Sequence, residues 1–518
     1  MQPKILWADD EIDLLKPHIL FLEKKGYQIL GVNSGADALE KFEEENFDLV
    51  FLDENMPGMN GLEVLAQMKQ MKPSTPIIMI TKSEEEHIME EAIGAKIADY
   101  LIKPLNPNQI LLSVKKILDN KRLVSEKTTQ NYRQDFRTLM MEMNERMDHE
   151  EWIEIYKKLI FWELEIEGTD SKDMEEIFEN QKAEANINFT KFIDENYEDW
   201  LNDPNIDRPI MSPHLLRKKV FPLLKNPEPV FFILIDNLRY DQWRVIEPLI
   251  QEYFQVLEES AYFSILPTTT AYARNAIFAG MMPLDMAKHH SDIWVQEDEE
   301  EGKNMSEEEF LRRNLQKQKF NNIKFSYNKI ITQQQGKVLV DSFENLMNNQ
   351  LNAIVFNFVD MLSHARTDIT MIRELMPDNA AYRSLTKSWF MHSPLLELLK
   401  KLGERKVQVV ITTDHGTICV KKPFKIVGDR NVNTNLRYKQ GKNLNYDSNN
   451  ILTAPAPERF HLPKLNISTS YVFAVEDYFF AYPNNYNYYV NYYKDTFQHG
   501  GVSLEEMILP FVILKPRG

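Results

Sequence analysis

Five short apolar runs mark the first 120 residues: KILWA (4–8), YQILGV (27–32), FDLVFLD (47–53), PIIMIT (76–81) and ADYLI (98–102). Between them lie segments such as SGADALEKFEEEN (34–46), with apolar positions at helical spacing and a capping residue at the start. The alternation predicts a doubly wound parallel sheet with helices on both faces. Ligands of such sheets bind at the carboxyl ends of the strands. The polar residues of interest fall there: Asp9 and Asp10 after the first run, Asp53 at the end of the third, Thr81 at the end of the fourth and Lys103 after the fifth.

From 121 to 215 the pattern changes. LMMEMNERM (139–147) and EEWIEIYKKLIFWELEI (150–166) repeat apolar residues every three or four positions in a charged background. Two or three amphipathic helices in a small bundle are predicted, acting as a helical spacer or dimerisation element. The proline-marked stretch 206–229 reads as a boundary. Beyond it, VFFILID (230–236), NAIVFNFVD (352–360) and VQVVITTD (407–414) are near-continuous apolar runs, each ending in Asp. Runs of this kind suit strands buried on both faces of a mainly parallel sheet, with each carboxylate at the crevice. The chain is thus read as an α/β multidomain protein divided at 1–120, 121–215 and 216–518. The acidic run QEDEEEGKNMSEEE (296–309) is expected to be a solvated loop.

Composition narrows the classes. A chain of 518 residues needs two to four domains, and 43% hydrophobic content is ample for their cores. The single cysteine, Cys419, excludes a disulfide scaffold and a thiolate zinc site, so any metal is held by nitrogen and oxygen. With no basic-then-apolar leader and no bilayer-length apolar run, a soluble cytoplasmic protein without membrane insertion is expected. A net charge of −18 argues against duplex DNA binding. One local exception stands after TTDHG. There Lys421, Lys422, Lys425, Arg430, Arg437, Lys439 and Lys442 face only Asp429, a candidate basic patch within a cleft or an ordinary solvated loop.

Asp9, Asp10 and Asp53 would form a site for a hard divalent cation, with Asp53 the best nucleophile because it ends the central strand. Lys103 can pair with phosphate oxygens, Thr81 can follow them, and Tyr100 would be the rotating aromatic that reports the change. ADDE (8–11), FLDENMPGMNG (51–61), ITKS (80–83) and YLIKP (100–104) resemble the two-component receiver domain over residues 1–120. That resemblance implies phosphorylation of Asp53 from a histidine kinase, and magnesium held by Asp9, Asp10, Asp53 and the carbonyl of Asn55.

The second half carries Asp236, Thr270, Asp360, His364, Asp414, His415 and His499. Three carboxylates, three imidazoles and a hydroxyl suffice for two zinc ions and a nucleophile. Asp360 and His364 share a face at i, i+4 spacing on a helix. Gly416 and the pair Gly500–Gly501 let the backbone turn close to a ligand. ILIDNLRYDQW (233–243), LPTTTAYARN (266–275), NFVDMLSH (357–364), TTDHG (412–416) and HGGVSLEE (499–506) resemble the PglZ branch of the alkaline phosphatase superfamily, over residues 216–518. The resemblance implies one zinc on Asp360, His364 and His499, and a second on Asp236, Asp414 and His415. Among the triplet Thr268–Thr270, motif alignment chooses Thr270 as the nucleophile. Asn237 and Arg239 are candidate phosphate-side groups, although a cap or a salt bridge explains them equally well. The tyrosine-rich tract 471–497 suits either packing or stacking of the bases of a single strand. A phosphodiesterase acting on linear or cyclic oligonucleotides is expected.

A receiver fused to a PglZ domain through a helical spacer resembles the PorX-type response regulators of type IX secretion. That resemblance implies a PorY-like sensor histidine kinase, a sigma factor and a PorL-like motor protein as partners, and a homodimer favoured by phosphorylation. A second reading makes the protein a non-catalytic, nucleotide-sensing adaptor for the sigma factor or motor component. Thr270 beside a complete ligand set speaks against it.

Overall fold

Strand residues point alternately to the two faces of a sheet, and both faces of the first sheet are apolar. In the computed structural model β1 (Lys4–Ala8), β2 (Gln28–Val32), β3 (Leu49–Asp53), β4 (Ile77–Thr81) and β5 (Asp99–Ile102) are all parallel, in the order β2-β1-β3-β4-β5. Leu6, Ala8, Val50 and Leu52 face helices Gly35–Glu44 and Gly61–Met71, packing on Phe42, Val64 and Met68. Ile5, Trp7, Leu49 and Phe51 face helices Lys16–Glu23 and Pro107–Val114, packing on Leu22, Ile110 and Val114. The helix starts are set locally. Ser34 accepts the Asp37 amide, and Asn60 and Glu63 form a capping box.

The structure describes residues 2–517 apart from 74, 83–96, 170–171, 296–303, 406, 429–432 and 448–449, and the backbone alone of 119–126 and 370. Ser83, most of the acidic run 296–309, and Asp429 and Arg430 of the basic segment therefore lie outside the described residues. The chain divides into two compact units, Met1–Arg133 and Gln134–Gly518, the division falling within helix Asn120–Met143. Among the described residues no helix is long and apolar enough to cross a membrane.

The second unit is built on a six-stranded sheet. β6 (Val230–Ile235), β7 (Phe254–Phe263), β8 (Phe325–Ile330), β9 (Leu351–Phe356), β10 (Gln408–Thr412) and the C-terminal strand Ile508–Pro516 are ordered β7, C-terminal strand, β10, β6, β9, β8. β10, β6, β9 and β8 run parallel, whereas the C-terminal strand is antiparallel to both β10 and β7, so the sheet is mixed. Every residue of β6 and β9 is buried, as their unbroken apolar sequences require.

Helices His149–Glu167 and Lys172–Asn202, the expected helical segment, fall within this second unit. The cause is visible in their buried faces. Phe189 and Trp200 lie 6.1 and 5.6 Å from the Phe263 ring on β7, and Trp152 packs on Phe189 at 5.3 Å. Rings of this size dominate interface burial.

Candidate active site

The first unit gathers a carboxylate pocket. Asp9, Asp10 and Asp53 bring oxygens within 4.8 Å of one another at the carboxyl ends of β1 and β3. Lys103 Nζ lies 2.9 Å from Asp9 Oδ2 and 2.7 Å from Asp53 Oδ1. Burial, reinforced by Asp9, raises the Asp53 pKa against the opposing pull of Lys103. Burial lowers that of Lys103, but its bonds to Asp53 and Asp9 outweigh this and raise it. One ammonium against three carboxylates leaves an oxygen-only, negative pocket that fits a hard divalent cation. The Asn55 amide donates to Asp53 Oδ2 at 3.2 Å, holding that carboxylate. The Thr81 hydroxyl donates to Glu54, and Tyr100 on β5 is 36% exposed.

In the second unit the donors meet at the carboxyl ends of the parallel strands. Asp236 directly follows β6, and Asp414 lies two residues past β10. The run ending in Asp360 is not one strand. β9 stops at Phe356, and Asp360 and His364 lie on helix Phe358–Asp368. Asn357 makes the turn between them, its amide donating to Asp236 Oδ2 at 2.9 Å.

Two donor sets result, each with ligand atoms within 4.8 Å of one another: Asp236, Asp414 and His415, and Asp360, His415 and His499. His415 is common to both, its ring stacked on that of His499 at 4.2 Å. His364 stands at the rim, its side chain 60% exposed, with Nε2 3.5 Å from Asp360 Oδ2 and its ring 5.7 Å from that of His499. Asp360 and His499 thus share their donor set with His415, while His364 flanks Asp360 from the rim.

Neighbouring groups fix these donors. His415 Nδ1 donates to the Gly416 carbonyl and His499 Nδ1 to the Thr268 carbonyl, both at 3.2 Å, which leaves each Nε2 lone pair for the site. Asp236 Oδ2 takes Arg274 at 2.7 Å, so Oδ1 faces inward. Among the described residues, buried Asp414 Oδ2 has no hydrogen-bond donor. Burial, then Asp236, pushes the Asp414 carboxyl well above its usual range and that of Asp360 to about 6. Burial lowers His415, and burial with His415 and His364 lowers His499 well below the usual imidazole value. Burial thus disfavours the charged forms of these carboxylates and imidazoles alike, a cost that a bound cation would offset for the carboxylates. The residues fit two metal ions held by imidazole nitrogen and carboxylate oxygen.

The three threonines differ in what their hydroxyls touch. Thr268 Oγ1 donates to the Gly501 carbonyl and accepts from the Gly500 amide, both at 3.0 Å. Among the described residues, buried Thr269 Oγ1 has no hydrogen-bond partner. Thr270 begins the helical turn Thr270–Arg274 and places Oγ1 3.0 Å from His415 Nε2 and 3.4 Å from Asp236 Oδ1. Thr270 is the member of the triplet that lies among the donors.

Residues 215–514 match the family described as the BREX system PglZ alkaline phosphatase-like domain. The chain belongs to the PglZ family. Upstream of the PglZ domain, residues 122–201 match the PorX response regulator linker domain and 5–115 the response regulator receiver domain, the order of a PorX-type fusion. Curated relatives resemble the receiver. The transcriptional regulatory protein ResD of Bacillus subtilis is 38% identical over 117 residues, 23% of this chain and 48% of that protein. The alkaline phosphatase synthesis transcriptional regulatory protein PhoP of the same organism is 37% identical over 120 residues, 23% of this chain and 49% of that one. The chain spans about half the length of these relatives. A CheY-like receiver domain protein from Methanospirillum hungatei is similar in structure at 29% identity, covering 23% of this chain and 96% of that one with a TM-score of 0.23.

Around the PglZ site, the two candidate phosphate-side groups behave differently. Asn237 adopts φ +63°, and its side-chain amide reaches Asp360 Oδ1 at 3.1 Å and Ser363 at 3.2 Å. Arg239 is 1% exposed and bound in two places to Asp241, at 2.9 and 2.6 Å, and once to Asn379 at 2.7 Å. It sits between the rings of Tyr382 and Phe497, engaged in a salt bridge rather than open to a phosphate.

The basic segment is likewise largely neutralised. Arg437 is buried on Glu506 at 2.6 Å, Lys421 meets Glu179 at 3.2 Å and Lys422 meets Asp477 at 2.9 Å. Lys439 is buried over the Tyr482 ring, and burial lowers its pKa to about 7. Arg437 and Lys439 are thus internal ties, whereas Lys421 and Lys422 are paired at the surface and Lys425 and Lys442 are exposed. The tyrosine tract divides. Tyr471, Phe479 and Phe480 are core, whereas helix Tyr486–Tyr493 exposes Tyr488 and Tyr489. Its rings stack in pairs, 488 on 492 and 489 on 493, each at 6.1 Å.

Two PglZ-domain residues went unassigned by sequence. Arg274 is fully buried between Asp236 at 2.7 Å, Glu307 at 3.3 Å and Asp414 at 3.9 Å, and Asn357 orients Asp236. The signal for Arg274 was present: an arginine inside the apolar stretch AYARNAIFAG (271–280) has to be paired.

Proposed function

We propose that the PglZ domain is a zinc-dependent phosphodiesterase with Thr270 as nucleophile, and that phosphorylation of Asp53 with bound magnesium controls it. The observation that carries this is the Thr270 hydroxyl within hydrogen-bond reach of His415, the residue common to both donor sets. One zinc would be held by Asp236, Asp414 and His415, the other by Asp360, His364 and His499. When bound, the ions supply positive charge that eases deprotonation of the hydroxyl and offsets charge at phosphorus. Thr270 attacks the diester: its Oγ1–P bond forms, the ester O–P bond breaks, and the hydroxyl proton ends on the departing alcohol. Water then cleaves the Oγ1–P bond, restoring the hydroxyl and releasing a monoester. Asn237 keeps Asp360 in place, and Arg274 keeps Asp236 turned inward.

Oligonucleotides, linear or cyclic, are the proposed substrate class. The stacked, exposed tyrosines support it: Arg373 stands 5.3 Å from the Tyr492 ring, and Tyr492 reaches Asp368, the last residue of the helix that bears Asp360 and His364. A PorY-like sensor kinase would phosphorylate Asp53 in the cytoplasm, where a sigma factor and a PorL-like motor protein of type IX secretion would receive the output. Residues 1–120, 121–215 and 216–518 are proposed as input, relay and output. Metal analysis with a panel of monoesters, dinucleotides and cyclic oligonucleotides tests the function. The expected result is two zinc per chain and turnover of diesters above monoesters. A fully zinc-loaded chain that hydrolyses none of them would overturn it and favour the adaptor.

A further inference from the structure

The short helix Leu504–Met507 touches three of the loops that form the metal site. Its Glu506 carboxylate accepts the Gly501 amide at 2.9 Å, two residues past His499, and lies 3.5 Å from the Thr268 hydroxyl. The Glu506 carbonyl accepts the Gly416 amide at 3.3 Å, next to His415. The approach is close: a Cβ on Gly416 would lie 1.9 Å from the Glu505 carbonyl oxygen. The position of this turn therefore sets where the His415 and His499 loops can lie.

Residues of the linker hold that turn. Asn186, on helix Lys172–Asn202, accepts the Leu504 amide through Oδ1 at 2.9 Å and donates to Glu505 Oε2 through Nδ2 at 3.2 Å. One turn earlier on the same face, Lys182 bridges Glu505 Oε1 at 3.1 Å and Glu163 Oε2 at 2.7 Å. Both are more than nine-tenths buried. A second strap leaves the same glutamate: Glu163 to Arg383 at 2.6 Å, Arg383 to Asp241 at 2.9 Å, and Asp241 to Arg239, three residues past Asp236. Buried ion pairs of this kind add little net stability over apolar packing, which the Phe189 and Trp200 contacts already supply. What they do add is a fixed register, because a displaced charge would be left unpaired.

We propose that Asn186 and Lys182 of the linker are positioning residues of the metal site, so that the seating of the linker helix sets how firmly the His415 and His499 loops hold their ions. This rests on the metal-dependent reading above and deepens it. The linker becomes part of the apparatus it precedes, and a shift of helix Lys172–Asn202 is read directly at the site.

The test uses the full chain with Asn186→Asp, which sets a carboxylate against Glu505, and with Asn186→Asp/Glu505→Gln, which exchanges donor and acceptor and restores the pair. Zinc affinity is measured by competition with a chelating dye, and amide exchange at Gly416, Gly501 and Leu504 is followed in metal-free protein. We expect Asn186→Asp to weaken zinc binding roughly tenfold, the scale seen when groups orienting metal ligands are lost. Exchange at the three amides should rise, and the double variant should recover both. If Asn186→Asp does not fold, Asn186→Ser, too short to reach Leu504 or Glu505, is measured in the same way. A folded variant with unchanged zinc affinity, or a loss that the double variant does not recover, would overturn the proposal. Neither readout needs turnover, so failure of the phosphodiesterase reading would show separately, as zinc-loaded wild-type protein without activity.

Discussion

Thr268, Thr269 and Thr270 illustrate how far residue type alone underdetermines role. Thr270→Val should retain zinc and lower diester turnover by about a thousandfold or more, as loss of an attacking group does. Thr269→Val should leave turnover nearly unchanged. Thr268→Val should destabilise the fold by about 1–2 kcal/mol, because its hydroxyl holds both Gly500 and Gly501. Chemical denaturation and a chromogenic diester distinguish the three. Asp360 makes a second residue-scale prediction. Its folded pKa of about 6 lies above the ordinary carboxylate value, so the metal-free fold binds this proton more tightly than the unfolded chain does. That contribution is present at acid pH and lost as the pH rises through about 6. His499 acts oppositely: its lowered value gives stability that is present above the ordinary imidazole range and lost as the pH falls. On the proposed function, bound zinc would displace the Asp360 proton. Calorimetry in buffers of different ionisation heat should therefore show more proton release per zinc from this carboxyl at pH 5.5 than at pH 7.5.

At the scale of elements, the site depends on where strands stop. β6 and β10 deliver Asp236 and Asp414 almost at once, whereas β9 yields to a helix before Asp360. Gly416 is the tightest of these junctions. Gly416→Ala should cost about 2 kcal/mol or more and lower zinc content, since the obstructing atom is backbone. Denaturant midpoints and metal analysis read both effects. The receiver strands and the strand-end carboxylates were legible in the sequence because period and apolar runs are local signals. The i, i+4 pair Asp360 and His364 was legible for the same reason. Arg437 and Lys439 were not: the carboxylate that neutralises Arg437 lies 69 residues downstream at Glu506, and no local pattern separates a buried cation from a solvated one. Nor was the hold of Asn186 on Leu504, across 318 residues.

At the scale of the whole molecule, a receiver and a PglZ domain share one chain, with the PorX-type linker between them in sequence. Asp53→Asn should leave zinc affinity and resting diester turnover unchanged while abolishing any response to beryllofluoride with magnesium. In the wild-type chain that treatment should favour a dimer in sedimentation and change turnover. An unaltered monomer with unaltered turnover would separate the receiver from the hydrolase. A threonine-centred hydrolase at this site is tested by acid-quenching the zinc-loaded chain during diester turnover and mapping covalent phosphorus by mass spectrometry. Phosphate-ester mass is expected on the peptide containing Thr270. An adduct on another residue, with full turnover in Thr270→Val, would contradict it.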